Sequence, residues 1–140
     1  MKNISSILFI LCWASLGHAN LSEASVKIVA NVEEDIQLSK QQVRNLFLGG
    51  KLDENLIAVE LPPANDTRIL FNTKVVGLTE ARIQSYWAQM RFSGRRKPPQ
   101  QFASQELAID YVLQNKRAVA YLPEDEPVPD GLRVIFEVTE

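Results

Sequence analysis

Asn65-Asp66-Thr67-Arg68 combines residue types that can hold an anion. Asn65 or Asp66 can cap a helix starting there. The first backbone N–H groups of that helix, left without intrahelical partners, would face outward with the positive end of its dipole. Thr67 adds a hydroxyl. Arg68 adds a guanidinium able to make charge-assisted bonds to phosphate, sulfate or carboxylate. That chemistry is capture without turnover. The plainer expectation for the same four residues is a cap followed by a solvated first-turn cation.

A second cluster, Arg95-Arg96-Lys97, sits between Gly94 and Pro98-Pro99. It follows a predicted helix whose C-terminal dipole favours cations, and the prolines stiffen the exit. The leading expectation is a structural connection with a solvated charge run. A basic docking loop for a partner protein or an acidic lipid surface comes second. Direct phosphate binding comes last, because no converging N–H groups are in view. Glu124-Asp125-Glu126 with Asp130 lacks EF-hand spacing and is interrupted by prolines, so an acidic turn is expected and no metal. Glu33-Glu34-Asp35 reads as hydrated loop acids.

The N-terminus narrows the chemistry further. Lys2, the apolar run from Ile4 to Leu16 and Gly17-His18-Ala19 make residues 1–19 a secretory signal peptide, with cleavage expected after Ala19. The run is shorter than the roughly 20 apolar residues of a membrane span. Cys12 and His18, the sole cysteine and histidine of the sequence, would leave with it. Residues 20–140 then contain neither disulfide, Cys- or His-based nucleophile, nor His- or Cys-ligated zinc. No enzyme activity and no cofactor are expected. Without Lys2, 14 cations face 17 acids, a net charge of about −3, which is not the footprint of a nucleic-acid binder. About 120 residues suffice for a single domain.

The elements that must position these residues follow from local pattern. Val26–Ala30 is β-branched and reads as a central strand. Ser39 with Gln42 forms a capping box, Val43, Leu46 and Phe47 share one helical face, and Gly49-Gly50 supply the stop. Leu56–Leu61 reads as a second strand, followed by a helix from Thr67 to Val76 that Gly77 closes. Thr79 caps a third helix with Ile83, Tyr86, Trp87 and Met90 in a core-facing stripe. Ser104 caps a fourth, with Leu107, Ala108, Tyr111 and Val112 inward. Ala118–Leu122 and Leu132–Val138 read as strands across a turn-rich loop. This order predicts an α/β fold, a mixed sheet with helices on both faces. Ligands of such sheets sit beyond the carboxyl ends of strands, which directs attention to Leu61–Arg68.

Several segments together resemble a known family. Leu38-Ser-Lys-Gln-Gln-Val-Arg-Asn-Leu-Phe-Leu-Gly49 resembles the L-s-x-x-q-l-r-x-I-F-L-G stretch of periplasmic phosphate-binding proteins of ABC transporters. Phe92-Ser-Gly-Arg-Arg-Lys-Pro-Pro99, preceded by Tyr86-Trp87, resembles the Y-W and F-T-G-x-x-x-P-P of their small single-lobe relatives. Ala118-Val-Ala-Tyr-Leu122 stands at their A-I-G-Y-V strand. The resemblance implies one lobe of the type II periplasmic binding protein fold, since 140 residues are too few for two. In the family a Ser/Gly/Thr-rich turn opening a helix holds phosphate. The corresponding position here is Pro62–Arg68, where Thr67 alone keeps a hydroxyl, and Ala120 replaces the strand's glycine.

Two expectations follow. One is a solute-binding-like periplasmic domain related to phosphate or oxyanion binding for an ABC transporter, with a weak or degenerate site at Asn65–Arg68 unless a homodimer closes it. The alternative is an adaptor that has lost its ligand and engages a periplasmic or membrane protein through its cleft face and basic loop.

Overall fold

The structure, a computed structural model, describes residues 23–139. The proposed signal peptide, with Cys12 and His18, lies outside the described residues. Helix starts match their local signals. In α1 (Lys40–Phe47) the Ser39 hydroxyl accepts from the Gln42 amide (3.2 Å) and Gln42 Oε1 accepts from the Ser39 amide (2.8 Å). This reciprocal box satisfies two otherwise orphaned donors. Val43, Leu46 and Phe47 enter the core as expected. Gly49, at φ +79°, ends the helix where Trp87 and Arg96 pass close by.

Asn65, not Asp66, caps α2 (Asp66–Phe71), its Oδ1 accepting from the Arg68 amide at 3.1 Å. The expected continuous helix to Val76 instead widens at Asn72–Val76 into a π-helical turn, closed by Gly77 at φ +71°. The widened turn seats Val75 and Val76 in the core and brings Asn72 Nδ2 within 3.0 Å of Glu80 Oε2. Thr79 caps α3 (Glu80–Ser93), and Ser104 caps α4 (Gln105–Gln114). In α3, Ile83 and Trp87 are buried, with Tyr86 and Met90 packed at the margin. The buried face of α4 is Ala108, Ile109 and Val112, while Leu107 is 51% exposed. That corrects the expected face at one position: Ile109 is buried where Leu107 was expected, while Ala108 and Val112 are buried and Tyr111 packs at the margin. Ser104 fixes where the helix begins, and this phase sends Leu107 outward.

Five strands form one mixed sheet: β1 (Val26–Ala30), β2 (Ile57–Glu60), β3 (Gln100–Gln101), β4 (Ala118–Pro123) and β5 (Arg133–Glu137), in the order β3-β2-β4-β1-β5. β2 runs parallel to β3 and β4, whereas β1 pairs antiparallel with β4 and β5. β1 is interior and wholly buried, one strand in from the edge, and β4 holds the centre. β4 is apolar throughout, and β1 is apolar except for Lys27, whose Nζ reaches out to the Glu124 carbonyl, which suits strands covered on both faces. Tyr121 of β4 stacks on Phe71 at 4.4 Å and leans on Phe47 at 5.7 Å, which ties α1 and α2 to the sheet. α4 also packs along β4. The outcome is an α/β lobe with helices on both faces of its sheet.

Candidate functional site

β2 ends at Glu60, and the chain turns through Pro62-Pro63 into α2, so Asn65–Arg68 sits at the carboxyl end of that strand. The structure brings the four candidates together on one helix start but gives them unequal roles. Asn65 is half-buried and spent as the cap. Asp66 is exposed in the first turn, and Thr67 is half-buried beside it. The Arg68 side chain, 2% exposed, turns back under the helix start. Its Nη1 donates to the Leu61 carbonyl (2.7 Å) and lies 3.1 Å from Glu60 Oε1. Its Nε and Nη2 form a two-pronged grip on Glu80, at 3.0 and 2.8 Å.

A guanidinium in this position cannot stay unpaired, because an isolated buried charge carries a penalty of several kcal/mol. Two carboxylates resolve it, one from each flanking element. Glu60 comes from the last residue of β2 and is also held by Gln101 Nε2 of β3 at 3.1 Å. Glu80 opens α3 and receives Asn72 Nδ2 (3.0 Å) and Gln84 Nε2 (2.7 Å). The cluster Glu60–Arg68–Glu80 carries one net negative charge when all three are ionised.

The two carboxylates are inequivalent. Burial pushes Glu60 above its ordinary value, and the nearby Arg68 charge only partly offsets this. Burial also acts upward on Glu80, but hydrogen bonds from Arg68, Gln84 and Asn72 outweigh it and hold that carboxyl below the ordinary range. On Arg68 burial works against the charge, and Glu80 and Glu60 more than compensate. The Tyr121 hydroxyl accepts from the Leu61 amide at 2.8 Å, and its burial pushes that phenol upward.

Sequence reasoning passed over Glu60, Glu80, Gln101 and Asn72. A signal existed, since Arg68 is the sole cation between Leu52 and Thr73, with acids on both sides. Nothing local, however, says that Arg68 points inward. With Arg68 turned away, the helix start offers the amides of Asp66 and Thr67, the Thr67 hydroxyl and the Asp66 carboxylate.

The basic loop lies elsewhere. It follows the C-terminal end of α3, a helix about 21 Å long at 1.5 Å per residue, whereas Arg68 grips the first residue of α3. Arg95 and Lys97 are exposed. Arg96 is half-buried, its Nη1 donating to the Leu48 carbonyl at 3.2 Å and to the Tyr86 hydroxyl at 3.1 Å. Tyr86 in turn donates to the same carbonyl at 2.7 Å. Arg96 therefore serves the C-terminal end of α1, where carbonyls without helical partners attract cations.

No protein-family model matches the sequence, and no curated protein matches it. Among solved structures, an ABC-type phosphate transport receptor from Vibrio cholerae is similar, with a TM-score of 0.58 at 17% identity over 80% of this chain. The chain spans 45% of that receptor's length. At this identity the likeness shows the fold: an α/β lobe of the periplasmic binding protein kind.

Proposed function

We propose that this chain is an exported, solute-binding-like lobe whose oxyanion position is filled from within, leaving weak phosphate or sulfate capture in the setting of ABC-type transport. The observation that carries this reading is the Arg68 guanidinium, gripped by Glu80, facing Glu60 and bonded to the Leu61 carbonyl at the carboxyl end of β2. A receptor for an anion keeps such donors free for its ligand. Here two of the chain's own carboxylates occupy them, and Asp66 stands exposed beside the helix start. A dianion arriving there meets two amides and one hydroxyl among three acids. Solvent-exposed charge contacts of that kind are worth about 0–1 kcal/mol each.

Export is supported by residues 1–19, whose charge, apolar run and terminal Ala19 suit a signal peptide. A periplasmic location fits the likeness to a transport receptor. Binding, not catalysis, fits a chain whose lone cysteine and histidine both lie in that leader.

Calorimetric titration with phosphate and with sulfate tests the reading. Dissociation constants of millimolar or weaker are expected. Submillimolar affinity at low protein concentration would refute an internally filled site, whereas affinity that appears only as protein concentration rises would mark closure by a second copy.

A further inference from the structure

Between Ala81 and Gln105 the sequence holds five cations and no acid, while the remainder holds ten cations and 17 acids. Arg82, Arg91, Arg95 and Lys97 form no ion pair among the described residues, and all four are exposed. α3 rests on the body along the narrow strip of Ile83 and Trp87, with Tyr86 and Met90 at its margins. Its other sides face solvent. At its end Phe92 is 97% exposed, far beyond Ile57 at 56%, the next most exposed large apolar residue among the described residues. Gly94, at φ +65°, ends the helix there, and the consecutive residues 91–95 are all exposed, so Arg91, Phe92 and Arg95 form an exposed tip.

We propose that this tip docks on an anionic lipid bilayer: Phe92 enters the boundary between headgroups and acyl chains while Arg91, Arg95 and Lys97 pair with lipid phosphates. The surroundings of Phe92 favour a bilayer over a protein. The residues sharing its side of α3 are Ala81, Ser85, Ala88 and Gln89, small or polar and all exposed. A stable protein interface needs roughly 800 Å² per partner around a well-packed anchor, and this face supplies an anchor without a packed surround. A lipid surface requires no matching shape, only an apolar wedge with cations at headgroup level. A symmetric contact between two copies through this tip would set Arg91, Arg95 and Lys97 against the same three cations. The tip lies at the opposite end of α3 from Arg68, so the inference stands whether or not the oxyanion reading does.

The test uses the chain as exported by an expressing bacterium. It is sedimented with vesicles of equal parts phosphatidylglycerol and phosphatidylcholine, and separately with phosphatidylcholine vesicles. Binding to the anionic vesicles alone, lost in concentrated salt, is expected. Phe92→Ser should lower the partition coefficient roughly tenfold or more. The triple change Arg91→Ala, Arg95→Ala and Lys97→Ala should lower it roughly a hundredfold, at about fivefold per cation. Circular dichroism should show all these variants folded, because the altered side chains are exposed. A Phe92→Trp variant should gain quenching by brominated lipid over the parent chain, which reports the tip itself. No binding, equal binding by Phe92→Ser and parent, or no added quenching would overturn the proposal. So would a salt-sensitive oligomer abolished by Phe92→Ser in a chain that ignores vesicles, which would assign the tip to a protein contact.

Discussion

Replacing Arg68 by methionine removes the charge that two carboxylates were placed to meet, and the size of the loss can be worked from the structure. The aliphatic stem is largely conserved, so cavity formation is a minor part. What disappears is the Leu61 carbonyl bond, the two-pronged grip on Glu80 and the 3.1 Å contact with Glu60. Breaking a buried pair by deleting one partner costs about 3–5 kcal/mol. The chain has an escape, because an uncompensated carboxyl can take up a proton. Lifting one carboxyl from 4.5 to neutrality costs about 3.4 kcal/mol at 1.36 kcal/mol per pH unit, which caps the penalty from Glu60. Glu80, 29% exposed, keeps some water and adds less. Urea unfolding at pH 7 should therefore show Arg68→Met destabilised by about 3–5 kcal/mol. At pH 5 the same cap falls to about 0.7 kcal/mol, so the cost should shrink by up to about 2.7 kcal/mol, because protonation is cheaper there. In a Glu60→Gln, Glu80→Gln background it should fall to about 1 kcal/mol, that of an ordinary neutral hydrogen bond. A loss below about 1 kcal/mol at pH 7, or one indifferent to both pH and background, would refute the claim that Arg68 neutralises this cluster.

The same cluster predicts opposite pH signatures for its two acids. The raised Glu60 contributes stability that is fully present below the ordinary 4.5 and is lost as pH rises through its folded value, so Glu60→Gln should equal or exceed the parent at pH 7 and match it below pH 4.5. Glu80 is lowered, so its contribution is present above 4.5 and lost as pH falls through its folded value; Glu80→Gln should be destabilised by about 1–3 kcal/mol at neutral pH in the same unfolding assay. Gly49→Ala should lose about 1–3 kcal/mol in thermal or urea unfolding. At φ +79° a new Cβ would meet Trp87, Arg96 Cβ and the Lys97 carbonyl at 3.1–3.2 Å. Asn65→Ala should cost about 0.5–2 kcal/mol through loss of the cap, and Asp66→Ala less, which would separate the two cap candidates by denaturation midpoint.

What could be read from the sequence is what local chemistry determines. The Ser39–Gln42 box, the hydroxyls of Thr79 and Ser104, and the glycines at 49, 77 and 94 act on neighbours within a few residues. Helix starts and stops followed from them. β3 was not legible because its two glutamines have no strand character of their own. They pair because β2 presents a free edge at Val59 and Glu60 and Pro98-Pro99 deliver the chain there. The outward turn of Leu107 was a matter of where the buried face is centred: Ala108 and Val112 sit inward as expected, and Ile109, about 200° around the helix from Leu107, is buried in its place.

The candidate site illustrates the limit most sharply. The motif at Asn65–Arg68 was legible as a helix start, and its adjacency to the end of a strand followed from the alternation of elements. The direction of the Arg68 side chain was not, because it depends on Glu60 eight residues before and Glu80 twelve residues after. Both are long-range partners that the fold alone brings together. Residue types that suit an external anion are the same types that build an internal ion cluster, and burial decides between them. A guanidinium 2% exposed has already exchanged water for carboxylates. For an external oxyanion to displace one of them, that carboxylate would have to find new solvation or a proton. Glu60 is the one already held above its ordinary value, so mildly acidic solution is where any residual oxyanion binding should strengthen, and titration across that range would reveal it.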